Sequence, residues 1–224
     1  PILCTHVCGL TMEITVIGET APIARWILRY LRDKNVGVES FREWMKRAGI
    51  VLASHMSREI EWREVTVTTP LEVEAVEYEP VEKPLLVGIL GASIPLLEGF
   101  EIVYPGAPVG LVAARRIEEG EKLEIKVYYE RLPAKHAGTA ILVDPMLATG
   151  YTIAAVADLL AKRGVKRIVV GTVIASRAGL SYLQARGGID AVYTLAVDPE
   201  LNDKYFIVPG LGDAGDRSLG VVPG

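Results

Sequence analysis

The stretch LVDPMLATGYT, residues 142–152, runs from an apolar segment into a lone carboxylate, a proline, small residues and hydroxyls. Its apolar start reads as a strand covered on both faces, and the chain from Tyr151 onward reads as a helix. At the C-terminal end of a parallel strand, Asp144 faces the crevice where ligands of open α/β sheets bind. The turn Ala148-Thr149-Gly150 delivers the chain into a helix whose first N–H groups lack intrahelical partners and carry partial positive charge. A phosphate satisfies both. Small Ala148 and Gly150 let the backbone approach it, and the hydroxyls of Thr149 and Thr152 can donate to its oxygens. Asp144, a few residues upstream, suits the hydroxyls of a sugar. A carboxylate for ribose beside a nest for its 5′-phosphate describes a phosphoribosyl pocket; simple capping by an acid and a small-residue turn is the competing reading. No Gly-Lys-Ser/Thr follows, so this is not a nucleotide P-loop, and the spaced glycines of a dinucleotide fingerprint are missing.

Outward from this stretch, apolar runs at 85–90, 140–143, 168–174 and 191–197 read as buried strands. Helical patterns at 94–104, 151–163 and 180–186 lie between most of them, and Gly164 stands where a left-handed helix end belongs. Strands alternating with helices predict a parallel sheet with right-handed crossovers. Segments 109–114 and 122–130 form a strand pair in which Leu123, Ile125, Val127 and Tyr129 alternate with polar partners, as in a projecting arm. Before the sheet, Pro22 opens a helix to about residue 33 that buries Ile23, Trp26, Ile27, Tyr30 and Leu31. A second helix begins near Ser40 with Glu43 completing a capping box, and it buries Phe41, Trp44, Met45, Ala48, Val51 and Leu52. Segments 64–69 and 72–78 read as a hairpin. The tail from Tyr205, YFIVPGLGDAGDRSLG, holds too many glycines for a regular element and reads as a shaped loop.

Composition narrows the function. With 24 basic against 28 acidic residues the net charge is −4, which argues against nucleic acid as a partner. Cys4 and Cys8 flank His6, but no second Cys/His cluster completes a zinc site, so they read as ordinary thiols of a reducing cytoplasm. The longest apolar runs are strand-sized, so neither a membrane span nor a signal peptide is expected.

DPMLATGYT resembles the phosphoribosyl pyrophosphate motif of type I phosphoribosyltransferases, in the Asp-Pro-Met form of uracil phosphoribosyltransferases. The tail PGLGDAGDR, residues 209–217, is similar to that family's uracil-binding loop, and the longer LNDKYFIVPGLGDAGD is highly specific; LRD at 31–33, FR at 41–42, TPLEVEA at 69–75 and YYERLP at 128–133 match further. The resemblance spans nearly the whole chain from about Pro22 and leaves residues 1–20 uncovered. It implies a single α/β domain over 1–224: a parallel central sheet with flanking helices, a β-arm at 109–131, a uracil-binding loop at 205–220 and an N-terminal helical and hairpin elaboration.

The implied reaction is uracil plus phosphoribosyl pyrophosphate giving uridine 5′-monophosphate and pyrophosphate, a step of pyrimidine salvage in the cytoplasm. By the same resemblance, Asp144, Pro145, Met146, Leu147, Ala148, Thr149, Gly150, Tyr151, Thr152, Asp213 and the arm's Arg116 bind phosphoribosyl pyrophosphate, with Arg115 leaving the arm register open by one. Ile207, Gly212, Asp213 and Ala214 hold uracil, largely through backbone groups, and Asp213 is the candidate catalytic residue. Main-chain N–H and C=O groups can complement uracil's carbonyl, N–H, carbonyl edge, whereas cytosine sets donor against donor. Magnesium is the implied cofactor, held mainly by substrate and water because Pro145 replaces a second acid. A homodimer or homotetramer and guanosine or cytidine triphosphate effectors are implied as well.

The chain departs from the family pattern at two places. Gly91 stands where the family usually has an arginine on the pyrophosphate, and Tyr151 stands where glycine is common. The first departure keeps alive a second reading, a regulator that binds phosphoribosyl pyrophosphate or nucleotides, reads RNA and does little chemistry. Orotate or a purine as the base, and a bare Rossmann-like module, fit the tail less well.

Overall fold

The computed structural model describes residues 12–119, 122–134, 136 and 138–221, with the backbone alone for 115–119 and 122–124. Cys4, His6 and Cys8 lie outside the described residues. In chain order the elements are β1 (Glu13–Val16), α1 (Pro22–Arg32), α2 (Val38–Met56), β2 (Trp62–Thr68), β3 (Glu74–Pro80), β4 (Leu85–Ile89) and α3 (Ile94–Val103). Then follow β5 (Val109–Glu119), β6 (Lys122–Arg131), β7 (Thr139–Val143), β8 (Met146–Leu147), α4 (Tyr151–Lys162), β9 (Arg167–Ser176) and α5 (Arg177–Arg186). The last are β10 (Ala191–Asp198), β11 (Glu200–Leu201), β12 (Ile207–Val208) and α6 (Ala214–Leu219).

The central sheet runs β1-β10-β9-β7-β4-β5-β6, with β8 also paired to β9. Every pairing is parallel except β5 with β6, which leave the sheet as the expected arm. Alternation along each strand divides the core. Leu86, Ile141, Val143, Val169 and Tyr193 face α1, α2 and α3, while Leu85, Val87, Leu142, Val170 and Val192 face α4 and α5. Helices on both faces are why these strands read as unbroken apolar runs. Among the described residues, β2 pairs only with β3, in a separate hairpin.

Three expectations need correction, and one strand was not foreseen. In α1 the buried stripe is Ala24, Ile27, Leu28 and Leu31, while Trp26 is 52% exposed and Ile23 42%. The neighbouring stripe serves an aromatic cluster instead: Tyr30 stacks on Trp44 at 4.0 Å and Trp26 meets Trp44 edge-on at 5.0 Å. Helix α2 starts at Val38, capped by Gly37 without a side-chain bond, so Ser40 is already helical and the capping box does not form. Glu43 pairs with Lys46 at 3.4 Å and Arg47 at 3.6 Å instead. Residues 13–16, which the family resemblance leaves uncovered, add a parallel edge strand along β10. The glycine-rich tail carries a two-residue strand and a six-residue helix.

Candidate active site

Strand β7 ends as expected at Val143, and the Asp144 N–H donates to Gly171 of β9 at 3.2 Å. The chain then folds back over β9: the Pro145 carbonyl accepts from Val173 and Ile174, both at 3.1 Å, and Met146-Leu147 pair with Ile174-Ala175. Ser176 closes this arrangement from behind. Its hydroxyl donates to the Ala148 carbonyl at 2.5 Å and accepts the Gly179 N–H at 2.9 Å, capping α5. Gly150 has φ +82°, and a Cβ there would sit 3.1 Å from Gly179 O, Leu183 Cγ and Tyr182 Cδ1. A left-handed backbone pressed on a neighbouring helix leaves glycine as the fitting residue.

Gly150 is the N-cap of α4 and no side chain caps that helix. Its first amides are therefore presented outward beside the half-buried Thr149 and Thr152, which suits an anion. Tyr151 packs edge-on against Tyr182 at 4.6 Å rather than projecting freely. Pro145 and Leu147 are buried, so any contact they make with a ligand comes from the main chain.

Beside this helix start lies a cleft of about 390 Å³. Asp144, Met146 and Ala148 form one wall, Leu90 to Ala92 another, and Lys204 to Ile207 with Gly212 to Gly215 the third. The structure therefore brings Asp144 together with all four tail residues singled out in the sequence. Burial pushes the Asp144 carboxyl up to about 7, against the lowering effect of the Met146 N–H bonded to it. A carboxyl so placed changes charge near neutrality.

Asp213 has two duties available. It is the N-cap of α6, its Oδ1 accepting the Asp216 N–H at 2.9 Å, and it also edges the cleft. Arg116 pairs through its backbone with Ile125 in the arm, and its side chain, like that of Arg115, lies outside the described residues. A Cβ at Gly91 would meet only Leu219 Cδ1, at 3.6 Å, so crowding does not explain the glycine.

Several cleft residues were not singled out in the sequence. Asn202 turns the chain between β11 and β12 by accepting the Lys204 and Phe206 N–H groups at 2.9 and 3.0 Å. This turn, with Tyr205 at φ +62°, sets Lys204, Tyr205 and Phe206 on the rim. The asparagine two residues before a lysine was the available signal, since Asx turns take that form.

No group of three or more His, Cys, Asp or Glu residues among the described ones can hold a metal. A magnesium ion here would take at most Asp144 or Asp213 from the protein and the remainder of its ligands from phosphate and water, which fits a pocket with few acids.

A buried acid at a strand end, an uncapped helix start and a cleft large enough for a base lie together on a parallel sheet, the arrangement expected above of a type I phosphoribosyltransferase. The uracil phosphoribosyltransferase family model matches residues 19–220. An Aeropyrum pernix uracil phosphoribosyltransferase is 50% identical over 96% of this chain and 100% of its own. One from Sulfolobus acidocaldarius is 35% identical, covering 92% of this chain and 100% of its own. A solved Aquifex aeolicus protein superposes with a TM-score of 0.84 at 31% identity, covering 93% and 99% of the two chains. The chain belongs to the uracil phosphoribosyltransferase family.

Proposed function

We propose that the protein transfers a phosphoribosyl group from phosphoribosyl pyrophosphate to N1 of uracil. The C1–O bond of the ribose breaks with its electron pair leaving on pyrophosphate, the N1–C1 bond forms, and the N1 proton is released. One observation carries this reading: Asp144 and Gly212 to Ala214 line the same cleft. Ionised Asp144 accepts the ribose hydroxyls, and the start of α4 with Thr149 and Thr152 takes the 5′-phosphate. The main chain around Ile207 and Gly212 to Ala214 reads the uracil edge. Asp213, already oriented by its cap bond, steers the N1 proton away from the ring. Arg116 of the arm reaches the pyrophosphate. Magnesium, when bound, supplies positive charge to the leaving pyrophosphate. The protein's own contribution is positioning and electrostatics.

The decisive assay mixes protein, magnesium and phosphoribosyl pyrophosphate with uracil, cytosine, orotate and adenine in turn. Uridine monophosphate alone is expected. A different monophosphate, or none, overturns the reading. The absence of any monophosphate together with salt-sensitive RNA retention favours the regulator that Gly91 keeps open.

Assembly into a homodimer or homotetramer is also proposed. It is supported by the exposed apolar residues of α1 and of the hairpin, where Leu71 is 84% exposed and Val73 61%. Sedimentation as a monomer at micromolar concentration would contradict it. Guanosine or cytidine triphosphate effectors and cytoplasmic residence are proposals carried by the family likeness. Among the described residues no helix is long and apolar enough to cross a membrane.

A further inference from the structure

The base-side wall of the cleft is not part of the sheet; it is fastened to α1 and α2 by three arginines. Arg42 Nε donates to Ser218 O at 2.5 Å. Arg217 lies over the Phe41 ring at 4.2 Å and donates to Leu211 O at 2.8 Å, Asp33 O at 2.7 Å and Leu31 O. These two hold α6. The third, Arg32, differs because it works through a buried carboxylate. Its guanidinium forks onto Asp198, Nη2 to Oδ1 at 2.7 Å and Nη1 to Oδ2 at 2.8 Å. Nη1 also donates to Gly210 O at 2.8 Å, and the Gly210 N–H donates back to Asp198 Oδ2 at 2.9 Å. Both backbone groups of Gly210 are thus held by one ion pair.

Gly210 is the point at which such a grip moves the seat. It has φ +59°, and a Cβ there would lie 2.0 Å from the carbonyl oxygen of Ile207. The chain doubles back so tightly that Gly210 cannot shift without shifting Ile207, and Ile207 lines the cleft. Asp198 is the last residue of β10 and 4% exposed, so the grip is referred to the rigid sheet.

We propose that Arg32 and Asp198 are positioning residues for the base, setting the depth at which the main chain of residues 207–214 meets the uracil edge. The proposal rests on the uracil reading above. Two physical points favour position over mere stability. A buried ion pair is often no more stabilising than apolar residues of the same volume. Of the four hydrogen bonds in the cluster, the Arg32 guanidinium donates three, two of them to Asp198 in a fork that only arginine presents and the third to Gly210 O. Hydrogen-bond readout discriminates bases only when the donors and acceptors are held to within fractions of an ångström, so looseness here appears as weaker base binding.

The test uses Asp198→Asn and Arg32→Lys in the full chain. Steady-state KM is measured separately for uracil and phosphoribosyl pyrophosphate, with backbone amide exchange followed alongside. Asp198→Asn is expected to raise the uracil KM tenfold or more and leave the phosphoribosyl pyrophosphate KM within twofold. Amides of 207–214 exchange at least tenfold faster, while those of 139–155 are unchanged. Arg32→Lys keeps the charge but loses the fork and falls between; it carries the test if Asp198→Asn does not fold. Both KM values rising together, neither moving, or exchange quickening evenly along the chain would overturn the proposal. A wild-type protein that makes no uridine monophosphate defeats the functional reading instead, and the exchange pattern still judges the clamp.

Discussion

The two walls of the cleft are built in opposite ways. The wall proposed for ribose and phosphate comes from consecutive residues 144–152, and its supports are neighbours in the sheet layer: β9 under Pro145 and Ser176 behind Ala148. The base wall is held by side chains that reach across the sequence, from Arg32 to Asp198, Arg42 to Ser218 and Arg217 to Leu31. Main-chain bonds of a parallel sheet are lost only when the sheet opens. Side-chain fasteners can fail while the sheet stays folded. The two substrates should therefore respond to different mutations, and that separation is open to attack.

The largest effect is expected at Asp144. Losing a charged acceptor of ribose hydroxyls costs about 3 kcal/mol, so Asp144→Asn should cut kcat/KM for phosphoribosyl pyrophosphate about a hundredfold, with the uracil KM barely changed. An equal loss in the two KM values would break the division of the cleft. The same residue sets a pH dependence. Burial raises this carboxyl from 3.8 to about 7, so the folded chain holds the proton more tightly than the unfolded one. Its contribution to stability is therefore full below about pH 4 and is lost as the pH rises through 7. Sugar binding runs the other way, because it needs the carboxylate. The rate at low phosphoribosyl pyrophosphate should fall below about pH 7, and the Asp144-dependent part of that slope should vanish in the Asn variant.

Next in size, Gly150→Ala places a Cβ at +82° against α5 and should raise the phosphoribosyl pyrophosphate KM about tenfold while sparing uracil. Asp213→Asn sharpens the base side. Asparagine caps a helix as well as aspartate does, so the melting temperature should hold while kcat falls several-fold. Wild-type turnover would remove the proton-steering role and leave the cap alone. The smallest effect is a gain. Gly91→Arg puts a Cβ in ordinary contact with Leu219 and supplies the charge that the resemblance expects there, so the phosphoribosyl pyrophosphate KM should drop by about fivefold, roughly 1 kcal/mol. No change would mean that the arm already meets the anion.

How much of this was readable beforehand follows the same divide. Strands β4, β7, β9 and β10 were plain as apolar runs because helices cover both faces, and the cradle was plain because strand, turn and helix start are adjacent in the chain. The tail's motif was visible, but its form was not: the glycines read as a shaped loop without regular elements, whereas Gly210 and Gly212 permit the left-handed turns that join β12 to α6. In α1 the periodicity was readable and the buried stripe was not. Ala24, Ile27, Leu28 and Leu31 compete with Ile23, Trp26 and Tyr30, and only the placement of α2 decides between them.

By itself, then, the sequence determined what depends on neighbours along the chain: the sheet's strands, the tight turn into α4, the acid before it and the family to which those motifs point. The tertiary structure decided which distant groups meet. Asp198 is one more polar residue at the end of a strand until Arg32 and Gly210 arrive from 166 and 12 residues away. Asp144 is an ordinary acid until the packed crevice strips water from it and lifts its titration toward neutrality. Propensity and periodicity act over a few residues, whereas desolvation and ion pairing depend on distances in space, which linear order does not contain.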